Sequence, residues 1–408
     1  MEKKHNRRLG TQNIRTIFGH LGTEFKEFIT FFKVIFGFFA RGINKFITRL
    51  DRYLIFKFIG TYIFSILLII SVAVVFDVNE NMSKFTQYNA PMKAIVFDYY
   101  LNFVPYYANL FSPLFVFIAV IFFTSKLAGN SEFIAMLAAG VSFKRLLRPY
   151  MISATFISIL AFYLGGYVIP KGTVVRQNFE RMYKNSKKIL TPTENLQIQV
   201  QPGVIAYMQH YDRDHKKAYG FVLDKFQGKK IENHLTAVEA QYDTISDTKF
   251  RWKLYNWRNR KMSGLREFIT SGPQKDTIIT IEPNDLVYSK GMQETYTNPE
   301  LKEYIERQLA RGSGNVATYE VEYHKRIASS FAAFILTIIG ASLSAKKRKG
   351  GMGLYLGIGL ALSCGYIMLQ TVSSTLAINS GWNPMLAAWM PNILFALIAY
   401  FCYKNAPN

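Results

Sequence analysis

The strongest constraint on this chain is a set of long runs without a single Asp, Glu, Lys or Arg. Nineteen such residues lie between Lys57 and Asp77, 27 between Asp98 and Lys126, and 22 between Arg148 and Lys171. Nineteen more run from Ile327 to Ala345, and 54 from Gly350 to Tyr403. About 20 apolar residues in a helix cross the roughly 30 Å of hydrocarbon in a bilayer, so the first four runs are read as one span each. The fifth is too long for one helix, and "NSGWNP" (379–384) marks its break. Six transmembrane helices are expected, three on each side of a polar stretch of about 155 residues.

Lys and Arg in the short loops set the orientation. Residues 1–57 carry 12, the loop 126–148 carries four and "KKRK" (346–349) another four, whereas the loop 77–98 has two bases against three acids. Both termini are therefore expected in the cytoplasm and residues 171–325 on the far side of the membrane. The same bases account for much of the net charge of +22, which removes the argument for nucleic acid; residues 171–326 keep 26 bases against 19 acids and are only moderately basic. Residues 1–49 hold a Phe-rich centre, "FITFFKVIFGFFA" (28–40), too short to span and interrupted by Lys33. They read as a basic amphipathic extension at the cytoplasmic interface. A signal peptide fits less well, because no small-residue cleavage site follows and a true span begins soon after.

Between the spans the period changes. "LQIQV" (196–200), "GFVLDKF" (220–226), "LTAVEAQYD" (235–243), "FRWKLYNW" (250–257) and "TIITIE" (277–282) are short β-branched or aromatic runs, separated by "QPG", "FQGKK" and "SGPQ". Such spacing predicts an antiparallel all-β domain, a sandwich or roll. Both cysteines, Cys364 and Cys402, fall in predicted spans, so this domain must fold on its own core without disulfides. "NPELKEYIERQLARG" (298–312) predicts a short helix at 299–311, capped by Asn298, with Pro299 in its first turn and Gly312 at its end.

Little in the chain points to catalysis. No Gly-rich loop followed by Lys-Ser/Thr occurs, so nucleotide energy must come from a partner, and no nucleophile with its base is recognisable. His210 and His215 flank Asp212 and Asp214 in "HYDRDH", but no further ligand spacing supports a metal and a solvated turn is the preferred reading. "RWKLYNWRNRK" interleaves bases with aromatics as single-strand binders do; its alternation instead reads as a strand with Trp252 and Leu254 inward. Lys57 at a span's edge reads as a snorkelling lysine. No cofactor, catalytic residue or metal ligand is assigned.

"GNSEFIAMLAAGVSFKRLLRPY" (129–150) is more specific. Ser131 is expected to cap a helix over 131–140, with Glu132 at the positive end of its dipole and Gly140 terminating it. Phe133, Met136, Leu137 and Gly140 share one face at i, i+3, i+4 and i+7. So short a helix is unstable alone. Two readings fit: the face docks a protein at the cytoplasmic side, or it folds back on the ends of spans two and three.

With "LDRYLIFKFIGTY" entering span one, "SEFIAMLAAGVS" after span two, "VIP" closing span three and "YHKRIASSFAAFILTIIGASLS" opening span four, residues 50–405 resemble the LptF/LptG (YjgP/YjgQ) permease family. The resemblance implies a helical inner-membrane protein with three spans (50–170), an inserted periplasmic β-jellyroll-like domain (171–325) and three more spans (326–408). It implies an ABC transporter subunit that pairs with a paralogous permease and an LptB-like ATPase dimer, extracts lipopolysaccharide, and passes it to an LptC/LptA-like bridge. In that family the acid of the short cytoplasmic helix docks into the ATPase, which here is Glu132, with Phe133, Met136, Leu137 and Gly140 around it. Where the LptG pattern has a phosphate-binding lysine near the end of span one, this chain has Phe76 and Asp77. Lys84, Lys171 and Arg176 are then lipid-binding candidates by charge and depth. The residues do not distinguish the two paralogues. A membrane-anchored β module without transport, or a permease for another envelope lipid or lipoprotein, are the alternatives, and the Glu132 helix favours transport because a passive anchor does not need it.

Overall fold

A computed structural model describes residues 48–184, 194–213, 215–243, 250–264, 266–286, 291–312, 316–345 and 351–406. The interfacial helix expected before residue 48 and the "KKRK" segment lie outside these. The chain divides into residues 1–57 and 58–408; apart from the start of the first helix, the packing described below lies within the second unit. Helix α1 (Arg49–Gln87) starts with reciprocal bonds between Thr48 and Asp51: the Thr48 amide donates to Asp51 Oδ2 at 3.1 Å and the Asp51 amide to Thr48 Oγ1 at 3.4 Å. Such a pair satisfies amides that a helix start leaves unbonded.

Among the described residues six helices are long and apolar enough to cross a membrane, as the uncharged runs predict. After α1 the chain winds through a π-helical stretch (Ile95–Tyr100) into α2 (Leu101–Leu110), then α3 (Ser112–Gly129), the short α4 (Glu132–Ala138) and α5 (Phe143–Tyr163). A second π stretch (Leu164–Val168) leads into α6 (Ile169–Tyr183). Span three therefore continues as helix well past residue 171. The sheet follows, and then α7 (Asn298–Arg311), α8 (Ala317–Ser344), α9 (Gly351–Ser380) and α10 (Pro384–Lys404).

Helices α3 and α8 are the buried centre of the bundle: 67% and 61% of their apolar windows are covered, against 28% for α9 and 33% for α10. Glycines allow the approach. A Cβ on Gly340 of α8 would lie 3.0 Å from Val120 of α3, and one on Gly359 of α9 would lie 2.4 Å from the Ile121 side chain. In lipid no hydrophobic force separates a helix from acyl chains, so close backbone contact and interhelical hydrogen bonds do the work. Such bonds among the described residues include Tyr366 Oη donating to Asn392 Oδ1 (2.9 Å), Asn392 Nδ2 to the Ala328 carbonyl (2.7 Å) and Ser158 Oγ to the Ser330 carbonyl (2.7 Å), with hydroxyl pairs Tyr62–Ser112 (3.0 Å) and Thr124–Tyr150 (2.9 Å). "NSGWNP" is the expected break, with Asn383 capping α10 through the amides of Met385 and Leu386.

The inserted domain is one antiparallel sheet of six strands in sequence order: β1 (Glu194–Gln201), β2 (Val204–Asp212), β3 (Lys217–Gln227), β4 (Lys230–Tyr242), β5 (Arg251–Ser263) and β6 (Arg266–Ile278). Among the described residues it is an up-and-down meander without the crossover of a Greek key. Its core holds Trp252 and Leu254, both fully buried as the alternation predicts, with Met208, Phe221, Leu235 and Ile281. Trp252 Nε1 donates to the Ile281 carbonyl at 3.1 Å.

Three local expectations are corrected. "SGPQ" is not a turn: Ser271–Gln274 lie within β6, the edge strand, where a proline without an amide proton is tolerated. "TIITIE" therefore lies mostly beyond the strand, and β2, which the sequence reading did not single out, supplies the sixth. The cap of α7 is Thr297, whose amide and hydroxyl both bond Glu300 Oε2 (2.8 and 2.7 Å), while Asn298 turns inward to Arg326.

Candidate functional site

Two places combine specific geometry with position at the ends of the spans. The first is α4. Ser131 sits at its start with φ 62° and makes no side-chain capping bond, because the left-handed backbone carries the hydroxyl away from the first free amides. The helix is correspondingly shorter than 131–140, seven residues from Glu132 to Ala138. Its C-terminus is as expected: Gly140 adopts φ 82°, its amide bonds the Leu137 carbonyl and that of Val141 bonds Met136, at 3.0 and 3.2 Å. This paired closure is the Schellman motif.

The apolar face splits in two. Phe133 is 1% exposed and sets its ring 6.4 Å from Phe143 of α5, whose ring is 6.0 Å from Tyr403 of α10. It anchors the helix on its own bundle and is not displayed. Met136 and Leu137 are half-buried, whereas Ile134, Ala135, Ala138, Ala139 and Gly140 are exposed. Glu132 is half-buried, and Asn130 Nδ2 donates to its Oε1 at 3.2 Å. The structure thus presents an acid beside a small-residue surface, fixed by one buried ring. The outward Ile134 was missed because the i, i+3, i+4 pattern selects the inward face.

The second place is where the sheet domain joins the spans. The segment Gly291–Asn298 is a strap across three helices. Arg326 of α8, 8% exposed, donates to the carbonyls of Tyr296 and Gln293 at 2.8 and 3.2 Å, to Asn298 Oδ1 at 3.1 Å and to Glu322 at 2.9 Å. Tyr106 of α2 donates to Glu294 at 3.0 Å, and Gln177 of α6 to the Gly291 carbonyl at 3.3 Å. Burial pushes the Glu294 carboxyl above its ordinary value of 4.5, and the charge of Glu322 adds to the effect. Gly166 leaves room for the strap, since a Cβ there would lie 2.5 Å from Asn298 Nδ2.

The three lipid-binding candidates are arranged differently from one another. Arg176 is buried, with its guanidinium 4.2 Å from the Tyr106 ring and 3.9 Å from Glu180. Lys171, one and a half turns earlier on α6, is exposed, and Lys84 on α1 is half-buried. Asp77, at the position of the departure from the LptG pattern, accepts from Tyr99, Tyr100 and Asn81 at 3.1, 3.1 and 3.0 Å, so it fastens α1 to the π-helical stretch. The strap residues escaped sequence reasoning, although the charged "EVEYHKR" (320–326) immediately before an uncharged run was their signal. In the "HYDRDH" turn His215 Nδ1 pairs with Asp212 at 2.7 Å in solvent.

No curated protein matches the chain. The profile of the family described as "Lipopolysaccharide export system permease LptF/LptG" matches residues 52–405, nearly the whole chain. With six membrane-spanning helices around an inserted six-stranded sheet, the chain is a multi-pass inner-membrane protein that belongs to the LptF/LptG family.

Proposed function

We propose that this chain is the transmembrane subunit of an ABC transporter that draws lipopolysaccharide out of the inner membrane and passes it to a periplasmic bridge. It pairs with a paralogous LptF or LptG chain and takes its energy from an LptB-like ATPase dimer, contributing no catalytic residue and no cofactor. Both termini lie in the cytoplasm and the β domain in the periplasm, where it meets an LptC/LptA-like partner. The observation that carries this reading is α4: a seven-residue helix anchored through Phe133, with Glu132, Ile134, Ala135 and Ala138 turned to the surface. Small outward residues suit insertion into a partner's groove, and Glu132 supplies a charge for a base there.

The test is reconstitution. The chain, co-expressed with its paralogue, should retain a soluble ATPase through purification, and ATP should drive lipopolysaccharide from proteoliposomes onto an added periplasmic acceptor. A stable permease pair that binds no ATPase and transfers no lipid would refute the reading.

A further inference from the structure

A cleft opens where α2, α8, α9 and the strap meet. Tyr106 and Asn109 line it from α2, Glu294 from the strap, Glu322, Lys325 and Arg326 from α8, and Gln370 from α9. Glu322 and Lys325 immediately precede the uncharged run that begins at Ile327, which sets the mouth of the cleft at the depth where lipid head groups end and acyl chains begin.

Its charges are of both signs and only partly spent on one another. Glu322 is bonded to Arg326 but stands 3.9 Å from Lys325. Glu294 accepts one bond, from Tyr106, and its burial, with the charge of Glu322 added, raises its proton affinity. Gln370 is 8% exposed, and its Nε2 has no acceptor within the protein. A buried amide donor without a partner is costly, so it marks a place suited to an acceptor from outside. A simple anion would face the carboxylates of Glu294 and Glu322 beside the two bases, and a simple cation would face Lys325 and Arg326 and leave Gln370 unsatisfied.

We propose that this cleft binds a head group carrying an ammonium and a phosphate together, of the phosphoethanolamine type. The ammonium lies between Glu294 and Glu322, and a phosphate oxygen accepts from Gln370 Nε2 and Lys325. The assignment does not depend on what the protein exports, because such a head group occurs both on bilayer phospholipid and as a substituent of lipopolysaccharide.

The test is native mass spectrometry of the full-length chain in detergent, with phosphatidylethanolamine and phosphatidylglycerol of equal acyl composition in competition. The wild type should prefer the amine-bearing lipid about tenfold; Glu294→Gln, which removes an acid from the ammonium, should bring that ratio close to one, whereas Gln370→Leu, which removes a donor from the phosphate, should weaken both lipids alike. Retained phosphatidylglycerol binding by Glu294→Gln, and a circular dichroism spectrum of Gln370→Leu like that of the wild type, serve as the controls for folding. Adding lipopolysaccharide with or without phosphoethanolamine then separates the sources. Displacement of bound phosphatidylethanolamine only by the substituted form assigns the head group to the cargo, and its retention assigns it to the bilayer. Equal binding of the two phospholipids by the wild type, an undiminished preference in Glu294→Gln, or undiminished binding of both lipids by Gln370→Leu overturns the proposal.

Discussion

Phe133 of α4 and Phe143 of α5 face each other with ring centroids 6.4 Å apart, and both are almost fully buried. Seven residues cannot hold a helix by backbone bonds alone, so this contact decides whether α4 exists as a surface. Phe133→Ala should forfeit about 3–5 kcal/mol of packing, more than the local fold can absorb. Hydrogen exchange over residues 132–138 should rise to that of an open loop while α3 and α5 stay protected. Unchanged protection would show that the ring is not the anchor.

The sheet domain should fold apart from the spans, because its core of Trp252, Leu254, Phe221 and Met208 is drawn from its own strands. Residues 194–312 expressed alone should be soluble with a β-rich circular dichroism spectrum; a folded but mostly helical sample would contradict this. Within the domain, Asp285 is wholly buried and pairs with Arg311 at 2.9 Å, with Arg307 at 3.8 Å. Removing the acid leaves buried guanidinium charge without its partner, which costs about 3–5 kcal/mol. Asp285→Ala should therefore lower the melting temperature of the isolated domain by about 10 °C.

The strap gives the protein a pH dependence of definite sign. Burial and the charge of Glu322 raise the Glu294 carboxyl above 4.5, so the folded state holds a proton that the unfolded chain releases near that value. This contribution is complete below pH 4.5 and is lost as pH rises through the raised folded value. Glu294→Gln, which keeps an acceptor for Tyr106 and carries no charge, should match the wild type in acid and exceed it in melting temperature at neutral pH. A difference that does not change with pH would remove Glu294 as the titrating group.

Of the three bases proposed for lipid, the geometry separates two from the third. Arg176 is stacked on Tyr106 at 4.2 Å and buried, so reversing it would put a carboxylate against an aromatic wall and unsettle the fold. Lys84 and Lys171 are accessible. Reversing both to Glu should weaken lipopolysaccharide binding by the purified complex at low salt, with the deficit shrinking as salt screens the field. Equal binding at low salt would clear both from the path.

How much of this was legible in the sequence follows from the kind of signal involved. Six spans could be read because hydrocarbon excludes charge, and the core positions Trp252 and Leu254 because a strand alternates faces. Gly140 could be read as a terminator because few other residues accept its φ. Ser131 could not be read as uncapped, since a left-handed backbone at serine has no composition signal. The "SGPQ" stretch misled because proline is equally at home in a turn and on an edge strand, and only the sheet order tells which. The strap was legible only at Arg326, through the charged run before span four, because its other members, Tyr106, Gln177 and Glu294, are brought to it by tertiary packing. Asp77 is similar: in sequence it looks like a missing lysine, and in the fold it is an acceptor for two tyrosines and an asparagine.

Glu132 offers the sharpest test of coupling, because its two possible roles differ in magnitude. If α4 enters a groove in the ATPase, the carboxylate meets a base at a contact from which water is excluded. Truncating one member of such a pair costs about 2–5 kcal/mol, and Glu132→Lys, which sets two positive charges face to face, should cost at least as much. If the helix only packs on its own bundle, the change removes a favourable term with the helix dipole of roughly 0.3–1 kcal/mol, together with the exposed bond from Asn130. Phe133 is untouched by the substitution, so the helix itself should persist. Glu132→Lys should therefore insert normally, keep its paralogous partner, and lose either the ATPase on purification or lipid-stimulated hydrolysis. Restoration by a compensating acid on the ATPase would identify the facing base, whereas full retention of the ATPase with normal export would reduce α4 to a structural cap on the bundle.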